Sequence, residues 1–259
     1  MNKLLLLAGI ILSTSLYSQQ KIIFDRAGYY FDFMELSFEM EDKPNDKFHL
    51  IKFDTITATD KKGNLLIDNH NVYNIYRRAN ILVRYETPKE KLKSVSAKGV
   101  VKYFQPSREN NSYFILGKVK EVKKDVNLID KSVLAKKPGL YFGLVSVESA
   151  NKIFKDFINH MANQGKKIDF NEYDLMMAKT NDKEHDMIPV VPTIDDGLDF
   201  SYNNITLKDP KTGIIYTFYK IKQSMTAEER GNIPLELFIE NGESVQKIPF
   251  DFKNFQVKQ

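Results

Sequence analysis

The stretch Met34-Glu35-Leu36-Ser37-Phe38-Glu39-Met40-Glu41 alternates apolar and polar residues without a break. A strand turns successive side chains to opposite faces, so Met34, Leu36, Phe38 and Met40 are expected to face a core while the acids and Ser37 face water. A helix, with its period of 3.6, would scatter the same four side chains around its circumference. Alternation of this kind decides for a sheet.

The neighbouring sequence follows the same grammar. Asp42-Lys43-Pro44-Asn45-Asp46 has turn composition, and residues 48–59 are rich in Ile, Phe and Thr. Asp60-Lys61-Lys62-Gly63-Asn64 is a hairpin turn, because the Asp accepts from the backbone two residues on and the Gly takes a positive φ. Further strands are expected over 81–86, 99–104 and 112–122, and again over 200–207, 213–221, 234–240 and 245–257. Short strands at such intervals point to sheet-on-sheet packing rather than βαβ units.

The period changes near residue 149. Ile153, Phe154, Phe157, Ile158 and Met161 form the stripe of an amphipathic helix over 149–164, with Ser149 as its cap and Gly165 as its left-handed stop. A second, weaker helical pattern covers 171–179. Residues 180–186 are strongly polar and read as a boundary. Thr226-Ala227-Glu228-Glu229 fits a capping box and predicts one helical turn before Arg230.

Two stretches echo each other in order and spacing. The first holds Ile56-Thr57, Asp60, Gly63, Arg78-Ala79-Asn80-Ile81, Ser94-Val95 and Phe104-Gln105; the second holds Ile205-Thr206, Asp209, Gly213, Arg230-Gly231-Asn232-Ile233, Ser244-Val245 and Phe255-Gln256. Matching positions lie 149 to 152 residues apart, which suggests duplicated units separated by small insertions. The expected fold is therefore mainly β, with two tandem immunoglobulin-like β-sandwich units and a short helical insert between them. On this reading residues 1–18 are a signal peptide, 21–135 the first sandwich, 136–186 a connection carrying the helix, and 187–259 the second sandwich.

The export expectation rests on Lys3, the apolar run Leu4–Leu12 and the small, polar stretch Ser13 to Ser18. Nine residues are too few to cross about 30 Å of hydrocarbon, and no later run reaches the length of a membrane span. Cleavage fits after Ser15 or Ser18. With no Cys among 259 residues, disulfides, zinc thiolates, cysteine nucleophiles and lipid-anchored cysteine are all excluded. Loss of Lys3 with the signal leaves 37 basic against 34 acidic residues, a balance that does not call for nucleic acid as partner.

Chemistry-bearing residues are sparse. Asp195, Asp196 and Asp199, around Gly197, gather hard oxygen ligands that read either as solvated turn acids at a domain boundary or as a calcium site; their spacing is not that of an EF-hand, and no other cofactor is expected. His49, His70, His160 and His185 form no ligand pair at helical spacing. Ser149-x-x-Lys152, Ser201-x-Asn203 and Lys211-Thr212-Gly213 follow the order used by serine β-lactamases, a resemblance that would make Ser149 the nucleophile. Ten residues between Ser201 and Lys211 cannot hold the helical body of that fold, so a helix cap and a hairpin turn account for these motifs. Lys118, Lys120, Lys123, Lys124, Lys131, Lys136 and Lys137 cluster, in keeping with a charged strand edge or an acidic partner. Tyr29, Tyr30, Phe31 and Phe33 suggest sugar stacking, but such platforms favour Trp and the chain has none, so these four are expected in the core or its rim.

No segment collects a nucleophile, a base and an orienting group, so no catalytic residue is assigned and no binding residue is identified. The expected function is an exported soluble binding or assembly module of the periplasm or cell surface, non-catalytic, whose partner is a protein or polysaccharide of the cell envelope. The alternative is a hydrolase of envelope or extracellular polymer that brings carboxylates together from distant strands.

Overall fold

The computed structural model describes residues 21–69, 74–182, 186–191, 204–221 and 225–258. The strands in chain order begin with β1 (Ile22–Tyr29), β2 (Phe33–Met40), β3 (Leu50–Asp60), β4 (Ile81–Glu86), β5 (Ser94–Phe104) and β6 (Tyr113–Lys118). Helix α1 (Lys131–Lys136), β7 (Phe142–Leu144), α2 (Val147–Ile153), α3 (Lys155–Asn163), β8 (Leu175–Lys179) and β9 (Met187–Val190) follow. The last elements are β10 (Asn204–Lys208), β11 (Ile215–Tyr219), α4 (Ala227–Gly231), β12 (Pro234–Ile239) and β13 (Val245–Gln256). The protein is mainly β, as its alternation requires, and no helix among the described residues is long and apolar enough to cross a membrane.

The chain divides into two compact units, one made of residues up to Tyr103 together with Gln246 onward, the other of Phe104–Val245. In the first, β1-β2-β4 form one antiparallel sheet and β13-β5-β3 another, and both contribute to a single apolar cluster. Met34, Leu36, Phe38 and Met40 all enter that cluster, on the face their alternation assigns them. Phe38 is its centre, with ring centroids of Phe24, Phe53, Phe250 and Phe252 at 5.3, 5.5, 5.3 and 5.9 Å. Close approach of β3 to β5 demands glycine at position 99, where a Cβ would sit 2.1 Å from the Thr55 carbonyl oxygen. The Lys43 ammonium ties the turn after β2 to this unit, donating to the carbonyls of Pro44 (3.0 Å), His49 (3.1 Å) and Arg78.

In the second unit, β10-β11-β8-β7 and β6-β12-β9 enclose one cluster, while α2, α3 and the 3-10 turn Phe170–Glu172 cover a second cluster on the other face of the four-stranded sheet. Strand β8 is therefore buried on both sides: Leu175 and Met177 enter the first cluster, Met176 and Ala178 the second. Its segment was expected to be helical, and two-sided burial explains the difference, because it removes the polar half of the strand alternation.

The expected helix over 149–164 is two helices meeting at Phe154 (φ −102°, ψ 22°), and it starts earlier, with the Ser146 hydroxyl accepting from the Ser149 amide at 3.1 Å. Its end is as expected: Gly165 (φ 73°) donates to the Ala162 carbonyl at 2.9 Å and Lys166 to that of Met161 at 2.9 Å, a Schellman closure. The capping box is also present, with Thr226 Oγ1 accepting from the Glu229 amide (3.2 Å) and Glu229 Oε2 from the Thr226 amide (2.6 Å).

The echoing stretches do not each fold into a sheet of their own. Within 187–259, β9 pairs with β12 and β10 with β11, but β12 also pairs with β6, β11 with β8, and β13 with β5, so these strands join sheets begun by earlier ones. Pairing across that distance leaves no local signal, so the sequence pattern shows the strands and not their neighbours. The turns of the echo do agree: Gly63 (φ 86°) and Gly213 (φ 75°) close hairpins whose Asp60 and Asp209 carboxylates accept from backbone amides at 2.8 and 2.9 Å.

Candidate functional site

The hairpin joining β1 to β2 carries the most exposed aromatic side chain among the described residues. Phe31 is fully exposed and Tyr30 is 46% exposed. The core or rim position expected for them is corrected here: a two-strand tip projects its side chains where no second layer reaches. Only Tyr29 and Phe33 are half-buried.

The tip is braced from below. Tyr30 stacks on Phe33 (5.0 Å, 23°), and the amide of Tyr30 donates to the Phe33 carbonyl at 2.9 Å. The Arg84 guanidinium lies 4.0 Å over the Phe33 ring, and its Nε donates to Glu35 Oε2 at 3.0 Å. Arg26 reaches the other Glu35 oxygen at 3.6 Å. A bulge in β1 between Phe24 and Arg26 leaves Asp25 out of register, and its carboxylate takes the Ser37 hydroxyl (2.8 Å) and the Asn80 amide (2.9 Å). Tyr29 Oη accepts from the Leu92 amide at 2.6 Å. The Glu35 side chain, only 5% exposed, is thus held between two guanidiniums on the outer face of the β1-β2-β4 sheet. An acid so buried is tolerable because it is paired and hydrogen-bonded.

A second feature lies in the Phe104–Val245 unit. A cleft of about 330 Å³ is bounded by Asn110 and Asn111, by Ser132, Lys136 and Lys137 around α1, and by the turn Glu240 to Glu243. Two of the clustered lysines and two acids therefore share one concavity. Sequence reasoning noticed the lysines; the available signal for the remainder was the pair of turn formers Asn110-Asn111 and Asn241-Gly242.

The residues singled out from sequence are mostly dispersed. Asp195, Asp196 and Asp199, with the calcium expectation they carried, lie outside the described residues, as do His70, His185, Ser201, Asn203 and the leader 1–18. Among the described residues no group of three His, Asp or Glu is placed to hold a metal. His49 bonds Asp46 at 2.7 Å and His160 contacts Gln164 at 3.0 Å. Lys211-Thr212-Gly213 is a turn closed by Asp209, whose second oxygen takes the Thr212 hydroxyl at 2.5 Å.

The titrating carboxylates point one way. Hydrogen bonds, first from the Lys247 ammonium, hold Asp54 below the ordinary carboxylate range; Asn64 does the same for Asp60 and the Thr212 hydroxyl for Asp209. Such groups stay ionised at neutral pH and act as acceptors.

No protein-family model matches the chain, and no curated protein is significantly similar to it.

Proposed function

We propose that this protein is an exported, non-catalytic binding or assembly module of the periplasm or cell surface that engages an envelope component through the β1–β2 tip. The observation that carries the reading is the fully exposed Phe31 on a braced base. Leaving a Phe in water forgoes roughly 1.5–3 kcal/mol of burial, and exposed aromatics beside arginine are the residues that dominate protein interfaces. A protein is the favoured partner, because Phe offers no hydrogen bond to a sugar. In this reading the two sheets around Phe38 are the immunoglobulin-like sandwich that presents the tip, and the matched Asp60 and Asp209 turns are traces of a duplication whose strands have been shared out between sheets.

The reading is tested by sedimenting purified chain with envelope fractions of the cells that make it. Unmodified chain is expected in the pellet and Phe31→Ala in the supernatant, with protease treatment of the envelopes abolishing retention. Equal retention of the variant overturns the reading. Export is tested by sequencing the N-terminus of chain recovered outside the cytoplasm; a start at residue 16 or 19 is expected.

One observation favours the hydrolase alternative, namely that Glu240 and Glu243 line the same cleft. It predicts shortening of an envelope polymer by the unmodified chain and none by Glu240→Gln.

A further inference from the structure

Building on the proposed role of the tip, we infer that it is one end of a longer interface, which crosses the outward face of its sheet to Leu65 and Ile67 and takes a polypeptide segment whose apolar residues flank a Lys or Arg. Leu65 and Ile67 are 68% and 63% exposed, and after Phe31 they are the most exposed large apolar side chains among the described residues. Single apolar residues on a surface are ordinary, whereas adjoining ones mark an interaction site. What decides is whether these two adjoin the tip.

The register places them in one row. Residues 65–69 extend the sheet beyond β4: the Glu86 amide donates to the Ile67 carbonyl (2.8 Å) and the Asn69 amide to that of Arg84 (2.9 Å), with Asp68 opposed to Tyr85 in antiparallel pairing. Residues opposed in such a pair share a face, and neighbours along a strand alternate. Tyr85 lies in the Phe38 core, which puts Ile67, one residue from Asp68, on the outward side. Leu66 packs against the same core and donates its amide to the Ala58 carbonyl (2.9 Å), so Leu65 is turned outward as well. Phe33 is opposed to Glu86, and Tyr30 stacks on Phe33. From strand to strand the outward face at this end therefore reads Tyr30, Phe33, Glu86, Ile67, with Leu65 beside Ile67. Phe33 and Ile67 are two strand spacings apart, about 10 Å.

An apolar row interrupted by one acid has a defined complement. Glu86 is exposed and makes no ion pair among the described residues, and the same holds for Asp32 at the tip. The guanidiniums of this face are already engaged: Arg26 and Arg84 both reach Glu35, and Arg84 also covers the Phe33 ring. A partner that laid apolar side chains on Phe33 and Ile67 with no cation between them would strip water from the Glu86 carboxylate and leave it unpaired. A Lys or Arg at that point replaces the lost water with a charge-assisted hydrogen bond. An anionic membrane surface is disfavoured, because Glu86 and Asp32 repel its headgroups. The bracing of Tyr30, Phe33 and Arg84 fixes this end of the face before a partner arrives, which removes part of the cost of binding.

The test is sedimentation of the purified chain with envelope fractions, read as the envelope concentration that retains half of it. Leu65→Ser with Ile67→Ser, both exposed, should keep the circular dichroism of the unmodified chain and raise that concentration at least about ten-fold, the scale of one buried aliphatic side chain. Ile115→Ser, a comparably exposed residue of the other unit, should leave it unchanged. Glu86→Gln should weaken retention and flatten its dependence on ionic strength. Benzoylphenylalanine placed at position 67 should crosslink on illumination to a peptide carrying Lys or Arg beside apolar residues, and vesicles of the extracted envelope lipids should retain none of the chain. Release of Phe31→Ala together with full retention of the Leu65→Ser, Ile67→Ser variant overturns the extension and leaves the tip reading standing; full retention of Phe31→Ala overturns both. A salt dependence that Glu86→Gln does not change, a crosslinked peptide without Lys or Arg, or retention on the lipid vesicles overturns the basic polypeptide as partner.

Discussion

Strands β2 and β8 are both rich in Met and both central in their sheets, yet one announces itself in the sequence and the other does not. In β2 one face meets the Phe38 core and the other carries Glu35, Ser37 and Glu39; Glu35 and Ser37, expected to face water, are buried there, but paired with Arg84 and Asp25, so period 2 is written out in polarity although both faces are covered. In β8 the run Leu175-Met176-Met177-Ala178 is buried throughout, because the unit has a helical layer behind the sheet as well as a second sheet in front of it. The difference teaches that alternation reports a second face lined by paired polar side chains rather than strand conformation as such: where the second face is apolar too, as in β8, the pattern disappears.

The sharpest way to break that comparison is to place a charge on each face. Met176→Asp and Met177→Asp each bury an unpaired carboxylate, and each is expected to unfold the unit, because such burial costs several kcal/mol against a total stability of about 5–15 kcal/mol. Glu39→Gln, at a half-buried position of the polar face of β2, is expected to change stability by no more than about 0.5 kcal/mol. Urea denaturation followed by circular dichroism measures all three. A folded Met177→Asp protein would mean that the first of the two clusters is not closed.

Next in size are the ring truncations. Phe38→Ala removes the centre of one core, and Phe218→Ala removes the ring stacked on Phe170 at 4.6 Å in another. Each is expected to cost about 3–5 kcal/mol. The two lie in different clusters, so their effects should add within about 0.5 kcal/mol in a double variant. A larger discrepancy in the denaturation free energies would show that the two cores communicate.

How much was legible follows from the same physics. Local chemistry was readable: the alternation of Met34 to Met40, the capping box at Thr226, the left-handed stop at Gly165 and the Asp60 and Asp209 turns each depend on residues within a few positions of one another. Strand partnership was not, since nothing near Val245 says that its strand joins β5. The tip was misread because composition alone cannot tell a rim aromatic from one beyond the rim. The cleft was hidden because Asn110, Lys136 and Glu240 meet only after folding.

The echoing turns give a smaller, pH-dependent effect. Asp60 and Asp209 are both held below the ordinary carboxylate range, by Asn64 and by Thr212 first, so each binds fewer protons in the folded chain than in the unfolded one. Their stabilisation is complete above the unfolded value near about 3.9 and is lost as pH falls through the lower folded value. Asp60→Asn and Asp209→Asn should therefore lower Tm at neutral pH and converge on the unmodified chain only as pH falls below the unfolded carboxylate value and through the lower folded one.

Buried tyrosines give the finest distinction between the units. Tyr85, in the Phe38 core and 3% exposed, has a hydroxyl with no hydrogen-bond partner among the described residues, and burial, with help from Asp68, pushes its ionisation above the ordinary tyrosine range. Tyr219, in the other unit, is pushed up to about 12 by burial, against which a hydrogen bond with Thr217 works. Removing an unsatisfied hydroxyl leaves no partner stranded, whereas removing a satisfied one loses a bond worth about 1 kcal/mol. Tyr85→Phe is thus expected to be neutral or slightly stabilising and Tyr219→Phe to cost about 1 kcal/mol. Both native phenols bind their protons more tightly folded than unfolded, so stability should decline as pH rises through the unfolded tyrosine value near about 10. Tyr219→Phe should flatten that decline, because its phenol no longer titrates. A decline that survives both substitutions would place the alkaline sensitivity in the other phenols that burial pushes up, Tyr113, Tyr141 and Tyr216; Lys43 works in the opposite sense, because burial lowers its pKa and a folded chain that binds fewer protons than the unfolded one gains stability as pH rises.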